Sequence, residues 1–446
     1  MRDLAFVGFL VALLGLGFRR PFIFVLAYAY VDIVSPQRLT YWLLNSIPIS
    51  LIVFVLAFVG WAVADDKRGL TIAPRQALLF ILLLYCGVTT SQADFPIEAL
   101  AKWDWVWKAL VFAIFLPLTL RTRLRIEALM LFMVLSASSI IIVGGIKTLA
   151  SGGGYGVLNL MSSQNSGLYE GSTLAGVAVA IVPIILWLAR YGTVFPSDWR
   201  VKAFAGALVF ACLLIPIGTQ ARTGLICIGV LAVLMLRHTR RRILYLAIVG
   251  VGLAIAIPNL PDSYTKRMDT IQSYKADSSA STRIAVWKWT IDYVRDHPFG
   301  GGFEAYRANR LRIEKTSVES TDTQTEITHS VEYDQARAYH SAYFEMLGEQ
   351  GYFGLTLWLM IHLGGLFSME RLRSRTRKDP DREWISGLAG ALLQAHIIYL
   401  VSALFVGIAF QPFVYMLVGA QIGLSIYAAR DRVEKSVPTA GWATAR

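Results

Sequence analysis

The sequence predicts an all-α membrane protein that crosses the bilayer about 12 times. Hydrophobic residues make up 55% of the 446 residues, charged residues make up only 16%, and the mean hydropathy is +0.53. Soluble domains carry about 25% charged residues, so this chain has too little polar surface for a water-soluble globule of its length. In addition, apolar runs of roughly the length that a membrane helix needs recur from Leu4 to Ala429.

The first two apolar runs, 4–17 and 22–34, are short and are separated by Arg19, Arg20 and Pro21. A secretory signal carries its charge before the apolar segment, whereas here the larger charge follows it, which favours a retained membrane helix. The two runs form either a tight pair or one broken span, so the total is about 12 or 13 spans. An even number places the N-terminus in the cytoplasm.

Further apolar runs predict the remaining spans. They cover residues 46–64, 75–91, 106–120, 126–146, 168–189, 203–218, 224–236, 243–258, 350–368, 385–405 and 412–429. Residues 259–349 form the longest polar stretch. The sequence therefore predicts N-terminal transmembrane helices in 1–258, an extramembrane loop region in 259–349, and C-terminal transmembrane helices with a tail in 350–446.

The net charge of +12 is concentrated in short loops, among them 121–125, 237–242 and 371–378. Short basic loops mark the cytoplasmic side of a membrane protein. If loop 237–242 lies on the cytoplasmic side, the other basic loops lie there as well. Residues 259–349 then lie on the outer side of the membrane. The positive charge thus indicates topology and does not indicate a nucleic-acid partner. Cys86, Cys212 and Cys227 lie in apolar runs, which argues against a disulfide framework or a thiolate metal site.

The outer region mixes helix-like and loop-like parts. Apolar residues at helical spacing predict a helix over 281–296, which Pro298 and the glycines of segment 297–302 stop. The polar residues 315–334 predict a mobile loop.

Three other outer segments carry weaker signals. The tryptophans between Lys102 and Lys108 are typical of an aromatic belt at headgroup depth, with a sugar-stacking platform as the alternative. The glycine-rich segment 151–156 lacks the ending of a phosphate loop and indicates a flexible connection. Segment 162–166 opens a helix or lines a polar vestibule.

Few polar residues stand where they could carry chemistry. Arg222 lies between two spans on the outer side, Arg283 begins the predicted helix, and His340 lies where the chain re-enters the membrane. An arginine at an interface is usually an anchor, and a lone histidine is often structural. Lys147, at the outer end of its span, either joins a site or extends to the interface.

The order of these motifs resembles that of the O-antigen ligase and O-antigen polymerase superfamily. Arg283 with Trp287, the segment 297–302, and the segment 340–354 that begins with His340 match its outer-loop signature in kind and order. Segment 219–224, which contains Arg222, resembles the upstream arginine motif. Ser341 stands where asparagine is commoner in the family, and Ala221 where serine is commoner.

This resemblance implies a glycosyltransferase type C architecture with a large periplasmic loop region. It implies transfer of a glycan from undecaprenyl diphosphate to an acceptor at the periplasmic face of the bacterial inner membrane. In the ligase branch, which we rank first, the acceptor is the lipid A–core oligosaccharide. O-antigen polymerase and protein O-oligosaccharyltransferase activities remain alternatives. A transporter of lipid-linked substrates is a further alternative, although transporters tend to show internal repeats and midplane ionisable groups.

The chemistry of such a transfer suggests roles for the candidate residues. Arginine binds phosphate oxygens bidentately and keeps its charge, so Arg222 and Arg283 are the candidates for the diphosphate. Histidine titrates near neutral pH, so His340 is the candidate general base. Lys147, Tyr339 and Tyr343 are secondary candidates.

The outer carboxylates do not form a set of metal ligands in the sequence. Asp94, Glu98 and Asp104 are scattered, and the adjacent pair Asp65 and Asp66 lies on the predicted cytoplasmic side. Hard cations need clustered oxygen ligands. We therefore expect no catalytic metal and no cofactor, and direct displacement with inversion at the anomeric carbon is the simplest mechanism.

Overall fold

A computed structural model describes residues 2–40, 43–44, 46–151, 168–237, 278–321 and 324–436. The predicted span 243–258, segment 162–166, His238 and most of the glycine-rich segment 151–156 lie outside these residues. Within them the chain is predominantly helical, with one β-hairpin.

The α-helices are numbered here in chain order. They are α1 (Arg2–Arg19), α2 (Phe22–Val34), α3 (Pro36–Leu39), α4 (Ile49–Ala64), α5 (Pro74–Ser91), α6 (Pro96–Thr119), α7 (Arg123–Ser151), α8 (Gly171–Tyr191), α9 (Trp199–Gly218), α10 (Arg222–Leu236), α11 (Ser278–Asp296), α12 (Ala342–Thr376), α13 (Glu383–Ser402) and α14 (Pro412–Ser436). Short 3-10 helices cover Ala305–Ala308 and Pro380–Arg382. The strands are β1 (Arg310–Thr321) and β2 (Gln324–Gln335).

Six helices of the described chain are long and apolar enough to cross a membrane. They contain Arg123–Ala150, Gly171–Tyr191, Trp199–Gly218, Ala342–Thr376, Pro380–Ser402 and Pro412–Val433. Helices α2, α4 and α10 are equally apolar but shorter. The prediction of a multi-pass helical membrane protein is therefore confirmed, whereas the total of about 12 spans stays a prediction.

The two short N-terminal runs form separate helices that pack against each other. The rings of Phe9 and Tyr30 lie 4.9 Å apart near the far ends of the pair, and those of Phe18 and Phe24 lie 5.3 Å apart near the turn. In each contact the two residues are about equally far along the chain from the turn at residues 20 and 21. This pattern requires that the two helices run antiparallel. Of the two sequence interpretations, the tight pair is the one observed.

The core of the helical part is arranged around α8. Its residues are buried on nearly every face, as expected of a helix that is apolar all round. Trp187 of α8 donates its indole N–H to the carbonyl oxygen of Trp384 in α13 (2.9 Å), and Gly176 leaves space for Ser402. This packing brings the N-terminal half of α8 beside the C-terminal end of α13.

The segment predicted as a mobile loop, 315–334, is instead most of an antiparallel hairpin, so that prediction is wrong. Arg310 pairs with Gln335 at its base and Thr321 with Gln324 at its tip. The polar composition suggested a loop, but the Thr, Val and Ile residues of both strands fit a pleated backbone. At the base, Asn309 accepts from the N–H of Arg337 (3.0 Å) and donates to its carbonyl oxygen (2.7 Å). The hairpin thereby returns the chain towards His340.

Helix α12 bends at Gly351, where the backbone has a φ of 63°. The segment 297–302 packs against this bend: the N–H of Gly301 donates to the carbonyl oxygen of Gly348 (3.1 Å), and that of Gly302 to the carbonyl oxygen of Glu349 (3.0 Å). A Cβ on Gly300 would lie 2.5 Å from the carbonyl of Glu349. The glycines therefore allow the close approach, and they satisfy carbonyls at the end of the first part of α12.

Candidate active site

The backbone at His340 is held by α11. The indole Nε1–H of Trp287 donates to the carbonyl oxygen of Tyr339 (2.9 Å), and the Trp287 ring stacks on Phe344 at 4.8 Å between centroids. Arg283 lies one turn before Trp287 on the same helix face. His340 has a φ of 48°, a left-handed conformation that is unfavourable for a residue with a Cβ. Such strain persists only where the surroundings fix the backbone, and it is common at functional sites.

His340 and Arg283 line one cavity of about 310 Å³. Tyr339, one of the secondary candidates, also lines it. The structure therefore brings three of the predicted site residues together. The other ionisable residues around the cavity are Lys102, Glu170, Glu304, Glu345 and Glu349.

The remaining candidates do not line this cavity. Arg222 begins α10 and is half-buried; the adjacent Thr219 lies against the first residue of α8, where a Cβ on Gly171 would be 3.2 Å from the Thr219 Cβ. Ser172 and Thr173 of α8 do line the cavity, so the arginine motif contacts the end of a helix that forms part of the cavity wall.

Lys147 and Tyr343 also lie away from the cavity. The Lys147 side chain is exposed near the C-terminal end of α7. The Tyr343 hydroxyl donates to the carbonyl oxygen of Leu400 (3.2 Å), and its ring makes an edge contact with Trp358. Tyr343 thus packs into the helical core.

The surroundings of His340 favour the neutral imidazole. Partial burial lowers the pKa of His340, and the positive charges of Arg283 and Arg337 lower it further, whereas Glu170 acts in the opposite direction. A histidine with a lowered pKa is neutral near pH 7 and can accept a proton. Glu170 is itself held in place, because it caps α8 by accepting from the backbone N–H of Thr173 (2.6 Å).

A buried ionic cluster lies beside the histidine, and sequence reasoning missed it. The Lys102 ammonium lies 2.7 Å from a carboxylate oxygen of Glu345 and 2.8 Å from one of Glu349, whose side chain is 0% exposed. Glu345 also accepts from the backbone N–H of Ala409 (3.0 Å), and Glu349 from that of Glu304 (3.0 Å). The cluster thereby joins α6, α12 and two loops around the cavity, with each carboxylate paired and hydrogen-bonded as burial requires.

A sequence signal for half of this cluster was present. Glu345 and Glu349 are four residues apart in the signature segment and therefore share one face of α12. Lys102 was named only as one end of the tryptophan segment, and the burial of its ammonium between the two carboxylates was not foreseen.

A second cavity of about 280 Å³ adjoins the first and shares Lys102, Glu304, Tyr306 and Glu345 with it. It extends to Glu98, Trp105 and Arg307. Of the tryptophans between the two lysines, Trp105 is thus the one placed at a polar cavity. Carboxylates that accept hydrogen bonds and an indole face are groups that suit sugar hydroxyls and sugar rings.

Tyr339 borders the first cavity, but its hydroxyl group is buried. The side chain is 2% exposed, and the hydroxyl lies against Gly348 of α12, where a Cβ would be 2.3 Å away; it has no hydrogen-bond partner among the described residues. Burial raises the pKa of Tyr339, and the nearby charge of Glu349 raises it further. The phenol therefore stays protonated.

The other described histidines lie elsewhere. His297 stacks on Tyr293 at 4.3 Å between ring centroids, outside the cavity. His362 and His396 are fully buried between α12 and α13, with ring nitrogens 2.7 Å apart. His329 belongs to β2. Among these, His340 is the histidine that lines the cavity with an arginine.

Comparison with protein families gives two matches. Residues 207–359 match the O-antigen ligase family, and residues 1–193 match a family of unknown function (DUF5935). No curated protein sequence matches the chain. The first match includes Arg222, Arg283 and His340, and it confirms the resemblance to the O-antigen ligase and polymerase superfamily. It supports glycosyl transfer of the O-antigen ligase or polymerase type by a multi-pass membrane protein.

Proposed function

We propose, on the premise that residues 207–359 are those of an O-antigen ligase, that the chain transfers a glycan from undecaprenyl diphosphate to the lipid A–core oligosaccharide. The observation that carries this proposal is the cavity in which His340, with its lowered pKa, and Arg283 lie together inside the matched region. A base and a permanent cation in one cavity are what this displacement needs.

In the proposed reaction His340 accepts the proton of the acceptor hydroxyl as its oxygen attacks the anomeric carbon of the donor sugar. The bond between that carbon and the diphosphate oxygen breaks, and undecaprenyl diphosphate leaves with the bonding electron pair. A single displacement inverts the anomeric configuration. Arg283 stabilises the negative charge that develops on the diphosphate, since a guanidinium can bind two phosphate oxygens at once.

Arg222 is proposed as a second ligand of the diphosphate. It begins α10, and Thr219 of the same motif lies beside the first residue of α8, whose next two residues line the cavity. Lys147, near the C-terminal end of α7, is a secondary candidate for the same role. No metal is required in this proposal, because the cations come from the protein.

The acceptor sugar is proposed to occupy the second cavity. Glu98 and Glu304 can accept hydrogen bonds from its hydroxyl groups, and Trp105 offers an aromatic face. The hydroxyl that reacts then points into the first cavity, where His340 can accept its proton.

The orientation in the membrane is also part of the proposal. His340 directly precedes α12, and Arg371, Arg373, Arg375 and Arg377 lie at or beyond its other end. Basic residues favour the cytoplasmic side, so His340 is assigned to the periplasmic face of the inner membrane. About 12 spans, with residues 259–349 outside, are consistent with this assignment.

Two related activities use the same donor chemistry: O-antigen polymerisation and glycan transfer to protein hydroxyls. They differ only in the acceptor. The test is to supply purified wild-type protein with undecaprenyl-diphosphate glycan and, separately, with lipid A–core, with further lipid-linked glycan, and with a hydroxyl-bearing protein. The proposal predicts glycan on lipid A–core, detected by mass spectrometry. Product on either other acceptor alone would exclude the ligase activity, and the absence of any transfer would exclude glycosyl transfer.

A further inference from the structure

A large cavity lies at the end of α12 that is distant from His340. It has a volume of about 820 Å³ and lies between the ends of α12 and α14, beside the 3-10 helix Pro380–Arg382. Its charged lining consists of Arg371, Arg375, Arg382 and Arg432, and Leu372 and Ala428 belong to its apolar wall. The part of α12 from its bend at Gly351 to Thr376 is roughly 40 Å long, so the two cavities lie at opposite ends of the part of this helix that can cross the membrane.

Three of the four arginines of this cavity carry positive charge that no described carboxylate neutralises. Arg371 and Arg375 lie one turn apart on α12, and the structure gives neither of them, nor Arg432, an ion pair with a described carboxylate. Arg382 differs, because it is paired with Asp431 at 2.8 Å and its Nε lies 3.6 Å from Asp379. The cavity therefore presents donors that suit an anion.

A neighbouring cavity provides an internal comparison. It has a volume of about 450 Å³ and is also lined by arginines of the same end of the bundle. There Arg190 is paired with Glu383 at 2.8 Å, and Arg373 with Glu370 at 2.7 Å. Two arginines of this neighbouring cavity are thus paired with carboxylates, whereas Arg371, Arg375 and Arg432 have no ion pair with a described carboxylate.

We propose that the cavity between α12 and α14 binds the phosphate of an anionic phospholipid. Guanidinium groups bind phosphate oxygens bidentately, and Arg371 and Arg375 present two such groups one helical turn apart. Leu372 and Ala428 form the adjacent wall, along which an acyl chain can run. Basic cavities between membrane helices suit anionic headgroups, and a zwitterionic headgroup matches the excess charge less well. The site is separate from the proposed transfer reaction, so either proposal can fail alone.

The test compares two triple variants of the full-length protein in detergent. Arg371→Gln/Arg375→Gln/Arg432→Gln removes the cavity charges. Lys202→Gln/Arg377→Gln/Lys378→Gln removes three exposed charges that do not line this cavity. Binding of phosphatidylglycerol is measured by native mass spectrometry. Each arginine near a headgroup contributes about 1 kcal/mol, so we expect binding to weaken on the order of 100-fold in the first variant. The second variant should retain the wild-type affinity.

Phosphatidylethanolamine and inorganic phosphate complete the test. The proposal predicts that wild-type protein binds phosphatidylglycerol in preference to phosphatidylethanolamine and that inorganic phosphate does not displace it. Equal binding of both lipids, or equal weakening in both triple variants, would overturn the proposal. Full displacement of phosphatidylglycerol by inorganic phosphate would overturn the claim that the bound phosphate belongs to a lipid. If the glutamine variant does not fold, Arg371→Lys/Arg375→Lys/Arg432→Lys keeps the charge and removes the planar fork, and it should bind more weakly than wild type.

Discussion

Removal of the buried Lys102 charge should destabilise the protein more than removal of an exposed charge. The Lys102→Met change leaves the carboxylates of Glu345 and Glu349 without their cation, and the Glu349 side chain is 0% exposed. Breaking a buried ion pair by removal of one partner costs about 3–5 kcal/mol, because the remaining charge stays buried without compensation. We therefore expect a loss of about this size in the free energy of unfolding, measured by titration with sodium dodecyl sulfate in mixed micelles.

A control for this change must remove an exposed charge, and α6 does not offer a suitable one. Its lysine Lys108 is itself only 13% exposed, so an exposed pair of α11 serves better: Arg295 and Asp292 lie 2.9 Å apart and are 68% and 69% exposed. Surface pairs contribute about 0–1 kcal/mol, so Arg295→Met should change the free energy of unfolding by less than about 1 kcal/mol. The account would be refuted if both methionine variants lost the same stability.

A double-mutant cycle separates the pair from other effects of the substitution. Glu349→Gln keeps an oxygen that can accept from the backbone N–H of Glu304 but removes the buried negative charge. In Lys102→Met/Glu349→Gln one of the two uncompensated negative charges is removed. The loss in the free energy of unfolding of the double variant should therefore be smaller than the sum of the two single losses, by at least about 1 kcal/mol. If the two losses in the free energy of unfolding were strictly additive, Lys102 and Glu349 would not interact energetically despite their short distance.

Three further predictions concern the cavity. Because the pKa of His340 is lowered, kcat/KM should fall with decreasing pH only below about 6.5, the ordinary histidine value. Arg283→Gln removes a positive charge near His340, so the acidic limb of the pH–rate profile should move to higher pH. An unchanged acidic limb would show that the two groups do not interact. Gly348→Ala places a Cβ 2.3 Å from the Tyr339 hydroxyl, whereas the Cβ of Gly206→Ala meets nothing within 4 Å. The first variant should lose transfer activity and the second should keep it. Equal activities would mean that Tyr339 is not held where we describe it. A metal chelator should leave the transfer rate unchanged, since the proposed cations are protein side chains, and loss of activity that added magnesium restores would contradict this.

The sequence was most informative where one segment determines its own structure. Helix α11 was predicted over 281–296 and is observed as Ser278–Asp296, because apolar spacing sets its body and the following Pro and Gly residues end it. The helical membrane class followed in the same way from composition. His340, Arg283 and Tyr339 were selected as site residues by residue type and family resemblance, and the fold places them at one cavity.

The sequence was less informative where distant segments meet. Lys102 and Glu345 are 243 residues apart, so no local pattern indicates that they form an ion pair. Lys102 stood outside the signature segment that contains Glu345. The hairpin was missed for a different reason: its strands pair with each other, and their polar composition resembles that of a loop. Arg222 was grouped with His340 by motif order, which does not specify whether both side chains line one cavity.

The most direct test of the central claim is the transfer rate of His340→Ala with undecaprenyl-diphosphate glycan and lipid A–core, compared with wild type and with His297→Ala. His297 is exposed and lies outside the cavity, so it controls for the loss of an outer histidine. Loss of a general base lowers the rate by about 10²–10⁴-fold. The account predicts a reduction of that size for folded His340→Ala and a rate near that of wild type for His297→Ala. Equal rates for the two alanine variants would contradict the assignment of His340 as the base.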